Sequence, residues 1–216
     1  MSPHKGEMMK KMVRAVLFAV MAVFSTAVFA EEDPCAMPAN LTEIDGVYQI
    51  GTCGDLYKFA EMVNGGETGI KGRLTADIVV NVGVLTSDGT LSGTNFTQWT
   101  PIGTLPTPYA GTFDGAGHVI SGLYFNDENV DFVGLFGYIG NTAKIQNVGV
   151  VDSYIRGART VGGVVGLNEG GTISNVYNTG AVSGNDRVGG VVGWNCVALN
   201  RSRWMNWLKL WKCKIS

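Results

Sequence analysis

From residue 46 to residue 195 apolar residues come in short, β-branched clusters separated by Gly, Asn, Asp or Ser. That spacing predicts strands joined by tight turns rather than helices. The clusters repeat. Val161-Gly162-Gly163-Val164-Val165-Gly166-Leu167-Asn168 returns 27 residues later as Val188-Gly189-Gly190-Val191-Val192-Gly193-Trp194-Asn195. A weaker copy precedes both, Phe132-Val133-Gly134-Leu135-Phe136-Gly137. Between them stand Ile120-Ser121-Gly122-Leu123, Ile145-Gln146-Asn147-Val148 and Ile173-Ser174-Asn175-Val176, whose starts lie 25 and 28 residues apart. A near-constant period of this length is the mark of a stacked repeat architecture.

Ile145 and Val148, like Ile173 and Val176, are three apart and would face opposite sides of one straight strand. A corner at Asn147 and Asn175 turns both inward, since Asn tolerates the left-handed conformation. Stacked Asn side chains can also hydrogen-bond from coil to coil. Gly163 and Gly190 fit tight corners as well. No unit holds a 10–12-residue helical stretch, which excludes βαβ crossovers. The expectation is an all-β parallel β-solenoid (β-helix) of Gly-rich repeats over residues 71–195, with a β-sandwich or propeller blade set as the competing architecture.

One helix is expected, at residues 55–64. Thr52 and Asp55 read as a capping box, Leu56, Phe59, Ala60 and Val63 share one apolar face, and Gly65-Gly66 ends it. Within the N-terminal region 31–70 it would cap the first coil, because a solenoid's terminal coil exposes core and sheet edge.

Residues 1–30 have a basic start ending at Arg14 and an apolar run from Ala15. Val28-Phe29-Ala30 places small residues before a cleavage point, which predicts a signal peptide cut after Ala30. The apolar run of 16 residues is short of the ~20 that a spanning helix needs. Export changes how the cysteines read. Cys35 and Cys53 would close a disulfide loop of about 19 residues, worth roughly 3 kcal/mol. Free thiols, or pairing that involves Cys196 and Cys213, are the alternatives.

Glycine makes up 31 of the 216 residues, about twice ordinary usage, which suits many tight turns. The formal charge of −2 conceals a segregation. Residues 31–195 hold 17 acids and 7 bases, so the body lacks the basic face that nucleic acid requires. Residues 196–216 hold five bases and no acid, and break the repeat. In this tail Trp204, Trp207, Leu208 and Trp211 share a helical face, which fits a C-terminal cap helix or a basic interfacial helix in contact with a membrane. Translation out of frame after residue 195 is the third reading.

Candidate chemistry is sparse. His118, the one histidine after residue 30, sits in a Gly-rich turn with Asp114 four residues away, a conceivable general base. Residues 127–131 open like a calcium loop, but Phe132 and Tyr138 stand where an EF-hand needs Gly and Glu. Asp152 joins Asp114, Asp127 and Asp131 as uncommitted carboxylates. Trp99, Tyr109, Tyr138 and Tyr154 could stack on sugars or fill the core. No catalytic, cofactor or metal constellation is recognisable, and no cofactor is expected.

The run from Val161 to Asn195 resembles the GLUG repeat of bacterial secreted and surface proteins. The stretches Trp99-Thr100-Pro101-Ile102-Gly103, Tyr109 through Leu123, and Gly46 through Gly66 are similar to segments that commonly precede such repeats. The resemblance implies an extracellular, adhesin-like β-helical module without catalytic residues of its own. The function expected is therefore an exported, non-enzymatic module for adhesion or structural presentation, with an extracellular protein or glycan surface as partner. A carbohydrate-binding or carbohydrate-active β-helix and a piece of a longer surface protein with no independent activity are the rivals.

Overall fold

A computed structural model describes residues 35–198 and 211–214. The expected signal peptide lies outside the described residues, as does most of the tail, including Trp204, Trp207 and Leu208. The described residues form about five turns of a parallel β-solenoid.

The first turn contains a short antiparallel pair, β1 (Glu43–Ile44) and β2 (Val47–Ile50), followed by helix α1 (Cys53–Asn64). The helix begins two residues before the expected start. Its capping box is complete: the Asp55 N–H donates to Thr52 Oγ1 (3.1 Å) and the Thr52 N–H donates to Asp55 Oδ2 (3.0 Å). These bonds satisfy donors that the helix itself leaves orphaned. Leu56, Phe59, Ala60 and Val63 are buried in the main core, as the i, i+3, i+4, i+7 spacing requires. Phe59 meets Tyr109 and Phe113 edge-on, with centroids 5.9 and 5.8 Å apart. A disulfide joins Cys35 to Cys53, the first helical residue.

The second turn holds β3 (Lys71–Leu74) and β4 (Ile78–Val79), then a long excursion that returns at Ile102 and Tyr109. The third holds β5 (Thr112–Asp114), β6 (Val119–Ser121), β7 (Tyr124–Asn126) and β8 (Phe136–Ile139). The fourth has β9 (Lys144–Val151), β10 (Tyr154–Arg156), β11 (Arg159–Gly162) and β12 (Val165–Glu169). The fifth repeats them as β13 (Thr172–Asn178), β14 (Ala181–Ser183), β15 (Asp186–Gly189) and β16 (Val192–Ala198).

Equivalent strands pair in parallel and in register, so like residues stack. Phe113, Ile145 and Ile173 form one inward column, and Phe136, Val165 and Val192 another. A smaller second core lies among Phe125, Val133, Ile155 and Val161, flanked by Val182 and Val188. At the other end from β1, strand β17 (Trp211–Lys214) is laid against this stack in the opposite sense, antiparallel to β16, with Asn195 opposite Lys214 and Cys196 opposite Cys213. Cys196 is disulfide-bonded.

Candidate functional site

The corners put the polar side chains in line. Asn147 and Asn175 are left-handed, with φ of 56° and 52°, and each bends its strand so that the flanking apolar residues turn inward. Thus β9 pairs with β5 before Asn147 and with β6 after it. The amides stack as a ladder: Asn175 Nδ2 donates to Asn147 Oδ1 (3.1 Å), and Asn147 Nδ2 donates to Asp114 Oδ1 (2.9 Å). Burial pushes the Asp114 carboxyl up, but the bonds from Asn147, the Ala116 N–H and Gln146 outweigh it, aided by the Arg73 charge, and the net direction is down.

Gly163 and Gly190 sit at the bends before β12 and β16, yet neither is left-handed. Left-handed residues lie three or so positions upstream instead, at Phe132 (φ 60°), Thr160 (φ 62°) and Arg187 (φ 49°), which occupy equivalent places in three successive turns. Gly163 answers to clearance instead: a Cβ there would lie 2.5 Å from Asn178 Nδ2 and in collision with the Gly190 carbonyl oxygen.

The acids expected to be uncommitted have structural partners. Asp131 pairs with Arg159 at 2.7 Å and accepts the Arg159 N–H at 3.0 Å, and Glu128 pairs with Arg156. Asp127 Oδ1 accepts the Asn129 N–H within its own turn (2.9 Å). The calcium-like stretch is thus tied to the next coil by two arginines. Asp152 Oδ1 accepts the Leu85 N–H (2.9 Å). His118 Nδ1 lies 3.0 Å from Asp77 Oδ1, so Asp77, not Asp114, is its carboxylate partner. The Asp77 carboxyl is held below the ordinary range, first by the Val119 N–H and then by His118. Among the described residues no three His, Cys, Asp or Glu side chains gather to hold a metal ion.

Of the aromatics, Trp99, Tyr109 and Tyr138 are buried, and Trp99 Nε1 donates to the Gly134 carbonyl at 3.1 Å. Burial also pushes the Tyr109 phenol up, while its hydroxyl donates to the Ile70 carbonyl (2.9 Å). Tyr154 stacks on Tyr124 of the turn below, with centroids 6.2 Å apart. Along the last side, Tyr138, Leu167 and Trp194 stack in register, the Tyr138 hydroxyl bonds Glu169, and Arg187 lies over the Trp194 ring at 4.0 Å.

Residue spacing alone missed the arginines and Asp77. Arg156 and Arg159 were within reach, since each stands one 28-residue turn beyond its acid. Asp77 carried no such signal, because its turn contains the long excursion.

These features define a Gly-rich parallel β-solenoid whose functional groups are ladders running along its faces. Residues 157–183, from the end of β10 to the end of β14, match the GLUG motif. The chain is 37% identical over 124 residues to "Halomucin" of Haloquadratum walsbyi, a match covering 56% of this chain and 1% of that protein. It is 34% identical over 80 residues to a "Putative Gly-rich membrane protein" of Evansella cellulosilytica, covering 36% of this chain and 9% of the relative. The matched region is therefore a small part of either relative. No solved structure matches the chain.

Proposed function

We propose that the chain is an exported, non-enzymatic β-solenoid module that presents its outer faces in a cell-surface or secreted protein, for adhesion or structural presentation. The observation that carries this reading is the use made of its reactive side chains. His118, Asp114, Asp131 and Asp152 are engaged in contacts that fix one turn against another. A general acid or base has to face a substrate instead.

The Cys35–Cys53 disulfide supports an oxidising compartment. The relative named as a membrane protein supports a surface setting. A sugar-binding reading has less support, because three of its four candidate aromatics are buried.

The test is to express the full chain with residues 1–30 in place and to fractionate the cells. The expected product begins at Glu31, reaches the surface or the medium, and has Cys35 and Cys53 resistant to alkylation until reduced. Binding to intact cells or glycan arrays then separates adhesion from presentation. Retention in the cytosol as a free dithiol would sink the export reading. Hydrolysis of a polysaccharide or peptide that disappears in Asp114→Asn would sink the non-enzymatic one.

A further inference from the structure

We propose that the fifth turn carries a docking edge for a parallel, in-register segment of the same repeat pattern, supplied by another polypeptide. Among the described residues β13, β14 and β15 each pair on one side only, with β9, β10 and β11. β13 and β14 contain no Pro and no charged residue of the kind with which proteins blunt an edge strand, whereas β15 carries Asp186 and Arg187.

Three features extend a contact already made between successive turns of this chain. Ile173, Val176, Val182, Val188 and Val191 are half-buried, whereas Ile145, Val148, Ile155, Val161 and Val164 one turn below are buried. The amide ladder ends at Asn175, whose Nδ2 is bonded downward while its Oδ1 has no partner among the described residues. At Gly190 an added Cβ would meet nothing within 4 Å, yet at Gly163 it would strike the Gly190 carbonyl. Glycine is needed at Gly163 because a turn lies above it, and Gly190 offers the same clearance to whatever lies above the fifth.

The occupant follows from what closes the other edges. β17 runs antiparallel along β16 and takes that edge, so a sixth parallel strand has no place beside β16. A second copy cannot offer its first turn, because β1 pairs along β2 with Glu43 opposite Tyr48. The fit is a strand–corner–strand segment covering β13 to β15, with apolar residues over Ile173, Val176, Val182 and Val188 and an amide donor over Asn175. Main-chain pairing supplies affinity and the stacked side chains supply register, as in other strand-addition complexes. This concerns the end of the stack and holds whether or not the chain is exported.

The test uses the full chain and a fluorescein-labelled peptide with the sequence of residues 170–191. Fluorescence anisotropy is expected to saturate with the wild type and to weaken about tenfold or more with Gly190→Ala and with Asn175→Gly. Gly190→Ala leaves the chain's own unfolding midpoint unchanged, because its Cβ projects into open space. Hydrogen exchange should slow at β13–β15 amides and nowhere else. To separate weak affinity from no affinity, the same segment is tethered to Ser216 through a Gly/Ser linker, which raises its local concentration to about millimolar. A midpoint raised in the tethered protein, but not in its Gly190→Ala form, supports the proposal. No rise on tethering overturns it, as does equal binding of a scrambled peptide or of the Gly190→Ala protein. Peptide-free dimers that pair tail to tail and survive Gly190→Ala would also count against it.

Discussion

The fourth turn, residues 144–169, and the fifth, residues 172–198, present related side chains in different surroundings. Ile145 and Ile173 are stacked partners, as are Val148 and Val176, and Val161 and Val188. The fourth-turn member of each pair is buried because turns lie on both sides of it; the fifth-turn member is half-buried because one side is open. Burial in a solenoid is a property of position in the stack as much as of residue type, and nearest-neighbour contacts carry the energy. The largest expected difference follows directly. Ile145→Ala removes a fully enclosed side chain and should cost about 3–4 kcal/mol, within the range for buried Ile to Ala. Ile173→Ala should cost about half of that or less, since much of its surface already meets water. Urea denaturation read by linear extrapolation measures both. Equal losses would mean that the fifth turn is covered in solution.

The paired glycines sharpen the contrast with a single methyl group. Gly163→Ala forces a Cβ into the Gly190 carbonyl and the Asn178 amide, and the backbone must move to admit it. Overpacking of this kind costs about 1–3 kcal/mol. Gly190→Ala meets open space and should stay within about 0.5 kcal/mol of wild type, as exposed substitutions do. If both variants fall equally, the open space above Gly190 is filled.

Much of this was legible in the sequence because it is local. The capping box at Thr52 and Asp55, the apolar face of α1 and the 27-residue return of the VGGVVG block each depend on near neighbours. Asn147 and Asn175 were legible for a related reason: two apolar residues three apart demand a corner, and Asn is suited to it. The left-handed positions upstream of the Gly163 and Gly190 bends were not legible. Phe132, Thr160 and Arg187 have no preference for the left-handed region, and a β-branched residue such as Thr160 disfavours it. Tertiary stacking imposes that conformation, and residue type gives no reason to expect it there. The partners of His118 and Asp152 likewise depend on the course of residues 80–110, which has no repeat to extrapolate from.

The amide ladder offers a smaller version of the same comparison. The Asn147 amide bonds both to the turn below and to the turn above, whereas among the described residues the Asn175 amide bonds only downward. Glycine at either position keeps the left-handed φ and removes only the amide. Asn147→Gly should therefore cost about 1–2 kcal/mol and Asn175→Gly about half as much, at roughly 1 kcal/mol per net hydrogen bond. A double variant that loses no more than Asn147→Gly alone would show that the Asn175 contribution passes entirely through Asn147, which is the signature of a ladder.

The smallest effect is the acid response of the ion pairs. Hydrogen bonding to Arg159 holds the Asp131 carboxyl below the ordinary range, against a lesser opposing push from burial. A carboxyl whose folded value is depressed contributes stability above its unfolded value of ~3.9 and loses it as pH falls through the folded value. Stability should therefore decline below about pH 4, and Asp131→Asn should flatten part of that decline while lowering stability at neutral pH. Because Arg159 is largely exposed, the change belongs in the range of exposed pairs and should shrink further in high salt. Asp186 is the control. Its ion pair is with its sequence neighbour Arg187, at 3.4 Å, its charge reaches Arg159 of the turn below only at longer range, and among the described residues its carboxylate makes no hydrogen bond to another turn. Asp186→Asn should leave the neutral-pH midpoint nearly unchanged. If it instead matches Asp131→Asn, the cross-turn pairing of Asp131 contributes nothing beyond local charge.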